Sequence, residues 1–242
     1  MMAVILAGGK GTRLKPYTMT IPKPLLPLGD VPILEVVLHQ LANAGICRVA
    51  LTLGHMAPLF AGTIGDGIRF GLEIEYYTEE EPLGTAGAMR LVRELDDDFL
   101  VMNGDLLTTI DFRHLYESHQ DREAWGTIAV HRREVKIDYG VIETSTDGML
   151  DNYIEKPTIP YQVSMGINVL SRRCTEFIPA KGKLDMPELM LAMRDAGKQV
   201  TCYCTDCYWQ DIGRFDDYQQ ASADFVANSP RFLKTPRERK AA

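Results

Sequence analysis

A short apolar run, Ala3-Val4-Ile5-Leu6-Ala7, is followed at once by a cluster of glycines, Gly8, Gly9 and Gly11. No other feature of the chain restricts its fold as much. An unbroken apolar stretch of this length is the pattern of a strand buried on both faces, as in a parallel sheet covered by helices. Clustered glycines cost backbone entropy, so placing them directly after such a strand needs a reason. A glycine-rich turn at the carboxyl end of a parallel strand brings backbone N–H groups up to phosphate oxygens. Arg13 and Lys23 would add positive charge at the same place. A tight surface turn beside two solvated cations is the alternative that the glycines alone leave open.

Strand and helix patterns alternate through the first half. Pro32 to Gly45 reads as an amphipathic helix with Gly45 past its end, Arg48–Leu53 and Glu73–Tyr77 as strands, and Thr85–Leu95 as a helix. Phe99–Met102 is an apolar strand ending in Asn103-Gly104-Asp105. This order predicts an α/β fold, a doubly wound, Rossmann-like sheet with its ligand site at the carboxyl ends of the strands. From about Trp125 the texture becomes strand-rich, over 127–131, 140–143, 152–155 and 166–170, with a hairpin turn at Thr146-Asp147-Gly148. Met186–Ala196 reads as a helix. One domain is expected over 1–228, with halves meeting near residue 124, followed by a polar tail over 229–242 that packs little.

At 242 residues and 45% hydrophobic, the chain can bury a sizeable core. Its net charge of -7 argues against nucleic acid as a partner, which calls for a basic surface, but not against small phosphorylated ligands met by local cations. No apolar run nears the roughly twenty residues of a membrane span. The first run is too short, and lacks the basic flank, for a secretory leader, so a cytoplasmic protein with no membrane partner is expected. The cysteines, Cys47, Cys174, Cys202, Cys204 and Cys207, are odd in number and few for a disulfide framework. Cys202, Cys204 and Cys207 have metal-site spacing, yet Val200–Thr205 alternates like a half-buried strand and no nearby fourth ligand exists. His39, His55, His114, His119 and His131 lack the spacing of a catalytic arrangement and read as structural. Asp96-Asp97-Asp98 contains a D-x-D, but at the amino end of its strand, where a solvated acidic loop is the better reading.

Gly8-Gly9-x-Gly11-Thr12-Arg13 followed by Lys23-Pro24 resembles the signature of the sugar-1-phosphate nucleotidylyltransferases. Further pieces stand in the same order as in that family: Glu79 to Gly87, Asn103-Gly104-Asp105, Glu155-Lys156-Pro157 and Trp209-Gln210-Asp211-Ile212-Gly213. Together they span about residues 1–225. Within the family the chain is most similar to the mannose-1-phosphate guanylyltransferases, with heptose-1-phosphate guanylyltransferases next.

The resemblance implies a nucleotide-binding first half and a sugar-binding second half, with a nucleoside triphosphate and a sugar-1-phosphate as partners and Mg²⁺ as cofactor. It implies that Leu6, Ala7, Gly8, Gly9, Gly11, Thr12, Arg13, Glu79, Gly84 and Asp105 bind the nucleotide. Arg13, Lys23 and Lys156 would be the catalytic cations, with Asp105 and Asp211 as metal ligands. Gly140, Glu155, Lys156, Ser164 and Gly166 would meet the sugar phosphate. Taken alone, Lys156 would read as an ordinary exposed lysine. Ser164-Met165-Gly166 replaces the Asn-Ala-Gly of many relatives, and serine's shorter reach leaves the sugar open. Glu79 occupies the position where thymidylyl- and uridylyltransferases have glutamine. An ionised carboxylate only accepts, and guanine alone offers it two adjacent donors, so GTP is expected, unless a one-residue slip presents Glu80 instead. UTP or dTTP acting on glucose-1-phosphate, a nucleotide-sugar-dependent glycosyltransferase, and a non-catalytic sensor are the competing readings. Assembly of several copies of the chain is left open.

Overall fold

The computed structural model describes residues 1–54 and 56–233, so the expectation for His55 and that for 234–242 lie outside the described residues. Strand β1 (Met2–Ala7) opens the chain, and a small hairpin of β2 (Pro27–Leu28) and β3 (Val31–Pro32) leads into helix α1 (Ile33–Asn43). Then come β4 (Arg48–Leu53), α2 (Ala57–Ile64), β5 (Glu73–Thr78), the single turn α3 (Gly84–Gly87), β6 (Asp98–Asn103), β7 (Leu106–Thr108) and α4 (Phe112–Gln120). The second half runs β8 (Gly126–Lys136), β9 (Val141–Thr144), β10 (Leu150–Ile154), β11 (Thr158–Ser171), α5 (Met186–Asp195), β12 (Val200–Thr205) and β13 (Trp209–Asp211). Helices α6 (Phe215–Ala227) and α7 (Ser229–Phe232) complete it.

The main sheet has the order β12-β8-β11-β6-β1-β4-β5. Only β11 runs against its neighbours, so this is the expected doubly wound mixed sheet. Alternate residues of β1 face opposite layers. Ala3, Ile5 and Ala7 pack with Leu34, Leu38 and Leu41 of α1, Phe60 of α2 and Leu115 of α4. Met2 and Val4 pack with Leu189, Met190 and Met193 of α5. Each buried leucine, isoleucine, valine, phenylalanine or methionine among them contributes about 1.5–3 kcal/mol by leaving water. A third core joins the chain's ends: Leu14, Leu28, Ile33 and Val36 meet Ala221 and Phe225 of α6 and Phe232 of α7.

The structure departs from the sequence pattern in two places. The helix expected over Thr85–Leu95 shrinks to α3 and a 3₁₀ turn at Ala88–Leu91, with Glu94 at φ 52°. Tertiary hydrogen bonds override propensity here, because the N–H groups of Ala86 and Gly87 both donate to the Leu184 carbonyl at 3.0 Å. The tail expected to pack little is anchored at its start, where Phe232 is only 2% exposed. Hydrophobic burial of this ring outweighs the polar residues beside it. Cys202 and Cys204 sit exposed on strand β12, and no group of three or more metal-ligating side chains gathers among the described residues. No helix among them is long and apolar enough to cross a membrane.

Candidate active site

The strand order reverses at β1. β4 and β5 extend the sheet to one side and β6 and β11 to the other, which opens a crevice at the carboxyl ends of β1 and β6. Leu6 and Asn103, paired across those ends, line two adjoining cavities of about 420 and 520 Å³.

The first cavity starts at the glycine turn. Gly11 has φ 58°, the left-handed region that glycine tolerates, and a Cβ there would lie 2.9 Å from Cγ2 of Thr18, whose hydroxyl donates to the Gly11 carbonyl at 2.8 Å. Thr12 and Arg13 follow in a 3₁₀ turn, and Lys23 begins another. Lys23 is 8% exposed and its Nζ stands 2.5 Å from Asp105 Oδ2. The other oxygen, Asp105 Oδ1, is buried without a hydrogen-bond partner among the described residues. Pairing of β13 with β7 aligns Asp211 with Leu106, and the Ile212 N–H donates to the Asp105 carbonyl at 3.3 Å. Asp211 is thereby brought into Asp105's field. Burial raises the Asp211 pKa, the Asp105 charge raises it further, and Lys23 and Arg13 oppose the shift. Two carboxylates in one partly dry place, one with an unpartnered oxygen, fit a divalent cation. Mg²⁺ suits them, since it takes one or two carboxylates and fills its remaining positions with phosphate oxygens and water.

The far end of this cavity is a wall in which separate loops lock together. Leu83 N–H donates to Glu79 Oε2 at 3.1 Å, and Leu184 N–H donates to the Leu83 carbonyl at 3.0 Å. Gly84, at φ 80°, lies so close to this partner that a Cβ would stand 2.4 Å from the Leu184 oxygen. Asp185 accepts from Thr85 N–H at 3.0 Å, which holds its carboxyl below the usual range, and also caps α5 with Glu188. Lys183 pairs with Asp185 at 3.3 Å and lines the same cavity.

The second cavity lies between the sheet and α5. Ser164, Gly166, Asn168, Ile128 and Trp209 line it from the strands, Met186, Met190 and Leu191 from the helix, and Asp211 at the junction. Ser164 Oγ accepts from the Gly166 N–H at 3.3 Å, and the Trp209 indole N–H donates to the Met165 carbonyl at 3.0 Å.

Leu6, Ala7, Gly8, Gly9, Gly11, Thr12, Arg13, Lys23, Glu79, Gly84 and Asp105 thus share the first cavity, while Ser164, Gly166 and Asp211 line the second. Gly140, Glu155 and Lys156 line neither. They belong to the exposed arm around the β9–β10 hairpin, where Tyr153 lies over Gly140 and Lys156, at φ 44°, faces Glu155 at 3.8 Å. The described histidines line neither cavity. His131 donates its Nε2–H to the Cys207 carbonyl at 3.0 Å, and His114 pairs with the Tyr203 hydroxyl at 2.6 Å.

A family model described as Nucleotidyl transferase matches residues 2–228. The chain belongs to the nucleotidyl transferase family. A mannose-1-phosphate guanylyltransferase of Mycobacterium tuberculosis is 34% identical over 93% of this chain and 64% of its own length. A UTP–glucose-1-phosphate uridylyltransferase of Synechocystis is 30% identical over 98% of this chain and 66% of its own. The chain therefore spans less than two thirds of the length of these curated relatives. Among solved structures, HddC from Yersinia pseudotuberculosis complexed with GMP-PN aligns with a TM-score of 0.70 and 26% identity, covering 93% of this chain and 99% of that one.

Sequence reasoning missed Lys183 and Asp185, which line the first cavity. Asp185-x-x-Glu188 before an apolar helix is a legible capping box, but its docking on Thr85 is set by contacts 100 residues apart. It also missed Asn168 and the α5 wall, whose side chains look like plain core in the sequence.

Proposed function

We propose that this chain transfers a nucleoside monophosphate from GTP to a sugar-1-phosphate. A phosphate oxygen of the sugar phosphate bonds to the α-phosphorus, the bond from that phosphorus to the β-bridging oxygen breaks, and pyrophosphate leaves with the electron pair. The observation that carries this reading is the junction of the two cavities, where Lys23, Asp105 and Asp211 stand between a glycine-lined chamber and a second chamber of sugar size. The nucleophile is already an anion at neutral pH, so the reaction needs no general base. Its demands are alignment and compensation of charge.

Arg13 and Lys23 offset the negative charge of the triphosphate, and backbone N–H groups of the Gly8–Gly11 turn orient it. Asp105 and Asp211 hold Mg²⁺, which when bound neutralises phosphate oxygens at the reacting centre. Lys156, on its exposed arm, meets the sugar phosphate from outside the second chamber. For the base, Glu79 Oε1 is unengaged among the described residues, and Oε2 has a second lone pair beyond its bond to Leu83, so the carboxylate can accept from both guanine donors. The names of the Mycobacterium relative and the GMP-PN complex of HddC favour the same base. The Synechocystis relative supports UTP as the second reading.

The test is pyrophosphate release with each common nucleoside triphosphate against a set of sugar-1-phosphates, with and without EDTA. GTP should turn over fastest and EDTA should abolish release. Faster turnover with another base overturns the Glu79 reading, activity in EDTA overturns the metal, and silence with every pair overturns the transfer itself.

A further inference from the structure

The main sheet ends in two unlike edges, β5 and β12. An edge strand carries a row of backbone N–H and C=O groups open to another strand, and proteins guard it with charge, proline or a covering loop. β5 is guarded. It carries Glu73 and Glu75, and the loop after α2 lies along it, with the Ile74 N–H donating to the Asp66 carbonyl at 3.0 Å. β12 is bare. It pairs with β8 from Val200 to Thr205 on one side, and its other side has no backbone partner among the described residues. Val200–Thr205 holds no charge, proline or glycine. Its order is also symmetric, since Thr201-Cys202-Tyr203-Cys204-Thr205 reads the same in both directions.

We infer that β12 is the docking edge for a second copy of this chain, which adds its own β12 antiparallel about a two-fold axis at Tyr203. This goes beyond the transfer reading and does not depend on it. A two-fold interface has to be self-complementary, and the symmetric sequence supplies that. Thr201 stands opposite the partner's Thr205, Cys202 opposite the partner's Cys204, and Tyr203 opposite the partner's Tyr203. Threonine pairs and aromatic pairs directly opposite each other are cross-strand contacts that stabilise a sheet. Tyr203 is already set in place, its ring edge-on to His114 of α4 and its hydroxyl 2.6 Å from Nδ1. Charge agrees. Lys198 precedes the strand and Asp206 follows it, so antiparallel pairing draws the basic end of each copy toward the acidic end of the other. The same operation on β5 would crowd Glu73 and Glu75 of the two copies together. One short edge buries less than the roughly 1,000 Å² of a firm interface, so this dimer is weak and forms at high concentration.

Sedimentation of the full chain from about 1 to about 500 μM should show the average mass climbing from one copy toward two, as a weak interface requires. Two paired variants test the edge and its register. Cys202→Lys with Cys204→Lys sets like charges opposite each other across the axis and should weaken association at least about tenfold. Cys202→Lys with Cys204→Glu sets opposite charges there and should restore it, more so at low salt. Both positions are exposed, so melting temperatures should stay near the wild-type value. In the wild type, iodoacetamide should label Cys202 and Cys204 quickly at the dilute end and slowly at the concentrated end, while exposed Cys47 labels alike at both. A single mass at every concentration overturns the inference. So does association that the paired lysines leave unchanged, which would put the interface on another face. Loss of association in both variants overturns the pairing centred on Tyr203.

Discussion

At the scale of single residues, the site is organised by charges that cannot all be satisfied by the protein alone. Lys23 is buried against one oxygen of Asp105, the other oxygen is buried without a hydrogen-bond partner among the described residues, and the Asp105 charge acts on Asp211. Such an arrangement is costly in the protein alone, and the polyanions and cation proposed above would relieve it. Lys23 and Lys156 therefore should fail differently. Lys23→Ala removes charge at the reacting phosphates and should lower kcat by orders of magnitude, whereas Lys156→Ala, on an arm where the lysine is 59% exposed, should chiefly raise KM for the sugar phosphate. Steady-state kinetics of both variants separate the two, and equal changes in both parameters would reassign the roles. Glu79→Gln tests the base. It leaves an acceptor for Leu83 but replaces one carboxylate oxygen by a donor, so GTP use should weaken by about 1–3 kcal/mol of transition-state binding relative to UTP. An unchanged GTP:UTP ratio in kcat/KM would leave Glu79 as a loop clamp only.

At the scale of elements, most of what is local was legible and most of what is remote was not. The strand β1, the glycine turn, α1 and the β9–β10 hairpin each follow from patterning within a dozen residues. The 84–91 segment did not follow, because its N–H groups are claimed by Leu184 rather than by its own helix. Helices α2, α4 and α6 escaped notice for another reason: α2 is short and glycine-flanked, α4 mixes buried His119 into its apolar side, and α6 buries only Ala221 and Phe225. The residues around the first cavity could be named in advance because one turn and two strand ends supply them. The α5 wall and the Lys183–Asp185 edge could not, since an apolar helix face carries no mark of facing a cavity. The cysteines show the same division and lead to a prediction. Cys202 and Cys204 alternate to the exposed side of edge strand β12, Cys47 is exposed, and Cys174 is buried, its thiol pushed up to about 12 by desolvation. Iodoacetamide on the native protein should label Cys47, Cys202 and Cys204 readily and leave Cys174 intact until denaturant is added, as read by peptide mass spectrometry. Early labelling of Cys174 would mean that the packing of α5 against the sheet opens easily.

At the scale of the whole molecule, a buried polar chain ties helix α4 to strands β8 and β12 of the main sheet. His119 of α4 pairs through Nδ1 with the Thr127 hydroxyl of β8 at 2.8 Å, and Thr127 pairs with Thr201 of β12 at 2.9 Å. The imidazole is 1% exposed, and its other nitrogen lies 3.5 Å from Asp98. Two charged groups bear on it: Asp98 favours the imidazolium, while Arg173 disfavours it. Burial is the largest effect and lowers the His119 pKa from its ordinary 6.5, so the folded state holds the ring neutral. The sign of the linkage follows. Above 6.5 neither the folded nor the unfolded ring binds a proton and the full stability is present. As the pH falls through that value the unfolded chain takes up a proton that the folded protein resists, so stability declines, by about 1.4 kcal/mol for each pH unit, until the lowered folded pKa is reached. Carboxylates also titrate in acid, and a variant isolates the histidine from them. His119→Gln should be less stable than the wild type at pH 8, and urea unfolding at pH 8, 7, 6 and 5.5 should show that gap closing as the pH drops. A gap that stays constant would remove His119 from the acid response, and one that widens would mean that Asp98 holds the ring charged between α4 and the sheet.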